Sequence, residues 1–160
     1  MTTAVQAYIR SGEEGLSFWF LGTLMTLKAS GEQTNGAFGL IEQSLPAGFA
    51  PPRHVHHNEE EAFYLLEGEA TFTCGEQSLE AGPGSFIFFP RNIPHWFRIT
   101  GTGPARLLQF NFPGGLERFF MELGEPTAQS ALPPAGPPDV AKLASIARKY
   151  QMEILGPAPE

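Results

Sequence analysis

The sequence predicts an all-β fold, and three observations support this prediction. Hydrophobic residues make up 42% and charged residues 17% of the 160-residue chain, a balance typical of a globular protein with a buried core. Glycine and proline number 18 and 15, which suits a chain with many tight turns. From Phe18 to Arg106, short apolar or alternating stretches are separated by turn residues, and no window keeps a helical period.

The predicted strands follow in order along this region. Residues 18–27 and 37–45 are predicted to pair, because a cluster of serine, asparagine and glycine lies between them. Residues 62–66 and 70–74 flank Gly68 and are predicted to form a hairpin in which Gly68 adopts positive φ. Residues 85–89 are apolar at nearly every position, which predicts a strand that is buried on both faces.

Helices are predicted only near the C-terminus. Apolar residues at helical spacing run from Leu116 to Leu123 before Gly124, which predicts a short amphipathic helix with a glycine stop. Residues 126–138 carry five prolines and are predicted to be an extended linker. Asp139 is a good N-cap for a second helix that reaches Tyr150.

The length favours a single domain. Residues 1–125 are expected to form a β-barrel together with the N-terminal strands and the first helix. Residues 126–160 are expected to form a linker, a helix and a tail that packs back on this barrel.

Charge and composition exclude several partners. The formal net charge is −7, and lysine and arginine are scattered, so we expect no nucleic-acid partner. Cys74 is the only cysteine and is expected to be a small buried apolar residue. The apolar run at residues 17–27 is too short to span a membrane and lacks the basic flank of a signal peptide. We therefore predict a cytoplasmic protein without a membrane contact.

Three of the four histidines lie within residues 54–57, and the fourth follows a distant turn. Side chains two apart on a strand point to the same face, so His54 and His56 can both point into a barrel. Glu61 opens the next strand, where a carboxylate in an apolar interior needs a compensating cation. His95 begins a later strand and is placed to complete the site.

The ligand set predicts one divalent transition metal. Three imidazoles and one carboxylate suit Fe, Mn, Co, Ni, Cu or Zn, and suit Ca or Mg poorly. Four protein ligands leave a position open when the ion has five or six ligands, and an open position is what a reactive site needs. The competing interpretation is that surface histidines lie beside acidic residues by chance. The strand-compatible spacing of all four residues favours the metal site.

At these residues the chain resembles the cupin superfamily. Gly48, His54, His56, Glu61 and Gly68 reproduce the first cupin motif without a mismatch. The second motif is looser. Gly84, Pro90 and His95 fit it, but Asn92 stands in place of the usual glycine and Ile99 in place of the usual asparagine.

The resemblance implies a double-stranded β-helix, or jelly-roll, barrel with short C-terminal helices. Residues 18–21, 37–42, 113–120 and 153–157 make the chain similar to bacterial cupins related to quercetin 2,3-dioxygenase. That similarity implies a dioxygenase acting with O2 on a flavonol or another aromatic substrate. In it, Glu61 would be the catalytic base, and His54, His56, Glu61 and His95 would hold the metal. A homodimer is expected by the same resemblance.

Two other functions stay open at this point. One is a non-catalytic cupin that binds a metal and a small molecule, and the other is a different metal-dependent enzyme such as an isomerase or decarboxylase. Phe63, Phe97 and Ile99 are the predicted substrate-binding residues, because strand alternation places them on inner faces.

Some polar residues near the motifs have two interpretations. For Gln109 and Asn111, the ordinary interpretation is a solvated outer face, and the alternative places both amides inside, where they would orient a substrate. Residues 57–60 are expected to form an exposed loop, with His57 at most at the cavity mouth.

Overall fold

The computed structural model describes residues 4–160, which fold as an all-β jelly-roll of two antiparallel sheets with short helices near the C-terminus. The elements within these residues are β1 Leu16–Phe20, β2 Thr23–Ala29, β3 Gly39–Leu45, β4 Arg53–His56, β5 Glu60–Glu67, β6 Ala70–Cys74, β7 Gln77–Ala81, β8 Phe86–Phe89, β9 His95–Ile99, β10 Ala105–Phe112, α1 Glu117–Leu123, β11 Glu125–Pro126, α2 Val140–Lys149 and β12 Met152–Gly156.

One sheet has seven strands in the order β11-β1-β2-β3-β10-β5-β8, and the other has five in the order β12-β4-β9-β6-β7. The predicted fold class is confirmed, although the two sheets are not hydrogen-bonded into a closed barrel. Two apolar clusters form the core. One, around Phe63 and Phe72, contains strand residues, and the other combines N-terminal strands with α1 and α2.

The N-terminal apolar run is a hairpin rather than one strand. Residues 18–27 were predicted as a single strand, but Leu21 and Gly22 have φ values of 46° and 84° and form a tight turn between β1 and β2. The prediction was wrong because Leu21 is an apolar residue at a turn position, so it looks like a continuation of the strand. The predicted pairing with residues 37–45 is correct for the second half, since β2 pairs with β3.

The predicted hairpin at residues 62–66 and 70–74 is also wrong. β5 pairs with β10 and β8, whereas β6 pairs with β9 and β7, so the turn between them carries the chain from one sheet to the other. Gly68 has φ of 90° as expected. A turn that crosses between two packed sheets therefore has the same local composition as a hairpin turn.

Strand β8 is buried on one face only. Ile87 and Phe89 are buried, but Phe86 and Phe88 are 66% and 50% exposed. The predicted burial on both faces is wrong because β8 is the edge strand of the seven-stranded sheet, and no layer of the described residues covers its outer face. Cys74 is half-buried at the end of β6 rather than fully buried.

The C-terminal region follows the prediction closely. α1 ends at Leu123, and Asp139 caps α2 by accepting a hydrogen bond from Lys142 N at 3.0 Å. The tail adds β12 to the five-stranded sheet beside β4, a strand that the sequence did not predict. Among residues 4–160, no helix has the length and apolar character needed to cross a bilayer.

The crossing turn at Gly68 gives a testable prediction. A Cβ on Gly68 would lie 2.7 Å from Ala105 Cβ and 2.8 Å from Ala105 Cα, in addition to the strain of positive φ. Gly84 has a similar φ of 87° but has nothing closer than Tyr64 Oη at 3.9 Å. We expect Gly84→Ala to lower the free energy of unfolding by about 1 kcal/mol and Gly68→Ala by about 3 kcal/mol. Urea denaturation measures both, and equal losses would contradict the proposed clash.

Candidate metal centre

The structure brings the four predicted ligands together between the two sheets. His54 and His56 lie on β4, Glu61 on β5, and His95 opens β9 directly opposite His54 in the strand register. One ligand atom from each of the four residues lies within 4.8 Å of the other three. His56, Glu61 and His95 are buried, and His54 is half-buried.

The Nδ1 atom of each imidazole ring contacts an oxygen acceptor on the side of the ring away from the cluster. His54 Nδ1 lies 2.6 Å from Pro52 O, and His95 Nδ1 lies 3.0 Å from Ile93 O. His56 Nδ1 lies 2.9 Å from Glu59 Oε1. Because these acceptors have no proton to give, each Nδ1 is the protonated donor, and the Nε2 atom is left to face the cluster in the neutral ring.

The Nε2 atoms converge on Glu61. His95 Nε2 lies 2.9 Å from Glu61 Oε2, and His56 Nε2 lies 3.2 Å from Glu61 Oε1. These contacts with the carboxylate are close, but among the described residues neither Nε2 makes a well-aligned hydrogen bond. Buried nitrogens with this orientation, fixed by outer acceptors, are the usual arrangement around a metal ion. The donor set fits a divalent transition metal, and its identity is not fixed by ligand type.

Glu59 was wrongly assigned to an exposed loop. Its side chain is 4% exposed because it turns inward to hold His56. The sequence signal that was missed is a carboxylate three residues after a candidate histidine ligand. His57 is exposed as expected, and its Nδ1 lies 2.8 Å from Asn92 Oδ1. Asn92 has φ of 67°, so it supplies the left-handed turn for which the motif usually uses glycine.

The ordinary interpretation of Gln109 and Asn111 is also wrong. Both side chains are buried, at 4% and 0% exposure, and Gln109 Nε2 donates a hydrogen bond to Glu61 Oε1 at 2.7 Å. The alternation on β10 is inverted, because Phe110 and Phe112 lie on the outer face and pack near Phe38. Amides inside and phenylalanines outside reverse the usual pattern of a half-buried strand.

An apolar cavity opens from the metal cluster. Phe63 and Phe97 line it, whereas Ile99 belongs to the apolar core and is not among the lining residues. The inner part is narrow and shares Phe49 and Leu143 with a wider vestibule that is bordered by the proline-rich segment. Of the residues that the structure describes, no lysine or arginine lines the inner cavity.

Burial and mutual contact shift the pKa values of the cluster in opposite directions. Burial, with the neighbouring rings of His56 and His95, lowers the pKa of His54 to about 3. Burial alone would lower the pKa of His56, but the charge of the Glu61 carboxylate and the hydrogen bond to Glu59 raise it to about 9. Burial would raise the pKa of Glu61, yet the charge of His56 and its close contact with the carboxylate hold that pKa well below its usual range.

These features define a jelly-roll with a candidate metal cluster between its sheets. Residues 41–111 match the family model of the cupin domain.

Two curated proteins are similar to this chain in sequence. The chain is 29% identical over 119 residues to a quercetin 2,3-dioxygenase of Bacillus subtilis, which covers 74% of this chain and 35% of that protein. It is 31% identical over 74 residues to an uncharacterized protein of Methanocaldococcus jannaschii, which covers 46% of this chain and 59% of that protein. This chain therefore aligns with less than two thirds of the length of either relative.

A solved structure shares the fold. The crystal structure of a predicted oxalate decarboxylase from Thermotoga maritima superposes with a TM-score of 0.60 at 23% identity, covering 67% of this chain and 99% of that chain. At this level of identity, the similarity shows the fold alone.

The raised pKa of His56 predicts how the stability of the metal-free protein depends on pH. A histidine whose pKa rises from 6.5 to about 9 on folding adds stability that is complete below about pH 6.5 and is lost as the pH rises through about 9. The expected loss in the free energy of unfolding is on the order of 3 kcal/mol. Denaturation in the presence of a chelator measures it.

Two variants serve as controls for this measurement. His56→Gln removes the titrating group and should flatten the curve over that pH range. His57→Gln changes an exposed histidine and should leave most of the slope in place. A flat curve in the unmodified metal-free protein would contradict the assignment.

Glu59 gives a prediction for metal affinity. Glu59→Gln keeps an acceptor for His56 Nδ1 but removes the charge that makes this ring a stronger ligand, so metal should bind about tenfold more weakly. Competition with a chromogenic chelator measures this affinity. Glu153→Gln, at an exposed carboxylate beside His57, is the matched control and should bind metal normally. Equal affinities in the two variants would refute the role of Glu59.

Proposed function

We propose that this cupin is a metal-dependent dioxygenase that acts on a flavonol-like aromatic substrate. The observation that carries the proposal is the position of the His54, His56, Glu61 and His95 cluster at the inner end of an apolar, phenylalanine-lined cavity. The similarity to a quercetin 2,3-dioxygenase over 119 residues supports the same reaction class.

The cavity walls suit a flat, neutral substrate. Phe63 and Phe97 have ring centroids 5.7 Å apart on the cavity wall, and aromatic faces of this kind pack well against planar rings. A small carboxylic acid would need a cation beside the metal, and among the described residues the lining supplies none. The inner cavity has a volume of only about 50 Å³, so a flavonol would place its polar edge at the cluster and most of its rings in the vestibule, whose volume is about 800 Å³.

The residues of the cluster would have different roles in the reaction. A bound divalent ion would act as a Lewis acid that favours the deprotonated substrate hydroxyl. Glu61 would accept the hydroxyl proton, since its carboxylate lies among the Nε2 atoms and is ionised at neutral pH. His54, His56 and His95 would hold the ion, and the apolar walls would exclude water from the reacting edge of the substrate.

The proposal is tested by metal analysis of the purified protein together with oxygen uptake and carbon monoxide release on a panel of flavonols. We expect bound transition metal and flavonol-dependent uptake. Glu61→Gln, measured at matched metal content, should lower kcat by at least about a hundredfold. Glu60→Gln is the control, because this neighbour is bonded to Arg91 outside the cavity.

Two outcomes separate the alternatives. If metal-loaded protein bound flavonols without consuming oxygen, this result would favour a non-catalytic binding cupin over an enzyme. If the rate of oxygen uptake were unchanged in Glu61→Gln at equal metal content, Glu61 would not be the catalytic base.

A further inference from the structure

A buried line of amides leads from the metal cluster into the cavity wall. Gln109 Nε2 donates to Glu61 Oε1 at 2.7 Å and to Asn111 Oδ1 at 3.3 Å. Gln43 on β3 is the next member, and its Nε2 donates to Gln109 Oε1. Gln43 and Gln109 are diagonal neighbours on adjacent strands, since Gln43 is opposite Leu107 and Gln109 is opposite Ile41. Both glutamine side chains line the inner cavity.

The charge of Glu61 sets the direction of this line. An ionised carboxylate only accepts hydrogen bonds, so Gln109 must present its NH2 group to Glu61. Both hydrogens of that group are then used, and the amide oxygen of Gln109 must point towards Gln43. Gln43 must in turn present its own NH2 group, because two amide oxygens cannot bond to each other. The two glutamine orientations therefore follow from one buried charge.

The line ends in an oxygen without a donor. Among residues 4–160, Gln43 Oε1 accepts no hydrogen bond, although the residue is only 2% exposed and lies on the cavity wall. This oxygen is not among the fully buried atoms without a partner, so it is accessible from the cavity, where a ligand or a water molecule can supply the donor. The strand neighbours of Gln43 are Met25 and Leu107, and most of the cavity lining is apolar, so a ligand that fills the cavity would be the source of that donor.

We propose that Gln43 is a ligand-recognition residue whose Oε1 accepts a hydrogen bond from a hydroxyl group of the bound aromatic substrate. Gln109 is a positioning residue that holds Glu61 and fixes Gln43 as an acceptor. The site thus selects ligands that carry two polar groups. One group is directed at the metal cluster, and the other is a hydroxyl directed at Gln43 on the seven-stranded sheet. The inference rests on the proposed function for the class of ligand and goes beyond it in naming the group that is recognised.

The test measures equilibrium binding rather than turnover. Metal-loaded protein is titrated without oxygen by calorimetry against flavonols and catechols that differ by one hydroxyl at a time. Wild-type protein should bind one hydroxylated member about tenfold more tightly than its analogue without that hydroxyl. In Gln43→Leu this preference should disappear, while the metal content stays close to the wild-type value and the melting temperature falls by only a few degrees, because Gln109 Oε1 loses its donor.

Two further variants keep the result interpretable. Gln43→Met preserves the length of the side chain without an acceptor and should repeat the loss if Gln43→Leu folds poorly. Ser44→Ala lies on the same strand, at the alternate position outside the cavity, and should keep the full preference. A preference that survives in both Gln43 variants would overturn the inference, as would the absence of any hydroxyl preference in the wild-type protein.

Oxygen uptake on the same panel separates this inference from the proposed function. Hydroxyl-dependent binding that is lost in the Gln43 variants, without oxygen uptake, would support the recognition site and reject the dioxygenase. Oxygen uptake on flavonols with no effect of either Gln43 variant on binding would support the enzyme and reject the recognition site.

Discussion

The buried carboxylate of Glu61 is the constraint on which the site depends. A charge in a protein interior is expensive unless it is paired and hydrogen-bonded, and Glu61 is only 3% exposed. Two imidazoles and one amide contact it directly, and these partners come from β4, β9 and β10. The charge is therefore satisfied only when both sheets are correctly paired. A metal ion would take over the role that protonated His56 plays in the metal-free protein.

The outer contacts explain why three similar histidines are not equivalent. Backbone carbonyls hold His54 and His95, whereas the buried carboxylate of Glu59 holds His56. Two carboxylates flank His56, so its pKa rises to about 9, while His54, with burial and two rings around it, falls to about 3. The three rings are therefore not equivalent before a metal binds. The difference among the three histidines comes from the acceptors that contact their Nδ1 atoms, and the spacing of the histidines alone does not predict these acceptors.

Strand alternation predicted the site better than it predicted the surrounding fold. The sequence places His54, His56 and His95 inside because strand alternation puts these side chains on inner faces, which is also where a shared metal ion requires them. On β10 the same rule failed, since Phe110 and Phe112 are apolar enough to suggest an inner face, and the buried charge of Glu61 instead drew Gln109 inward. Sheet membership was equally hidden, because the turn at Gly68 has hairpin composition but joins strands of different sheets. Local sequence specifies a turn, and long-range packing decides which strands it connects.

The cavity therefore has two chemically different walls, each supplied by one sheet. Imidazoles enter from β4 and β9 of the five-stranded sheet, while β3, β5 and β10 of the seven-stranded sheet supply Gln43, Glu61 and Gln109. Glu61 belongs to the second wall but is directed at the first, so it couples the two. Any movement between the sheets would change its contacts with His56 and His95 and with Gln109 at the same time. The proposed ligand recognition and the geometry of the metal cluster are in this way linked through a single side chain.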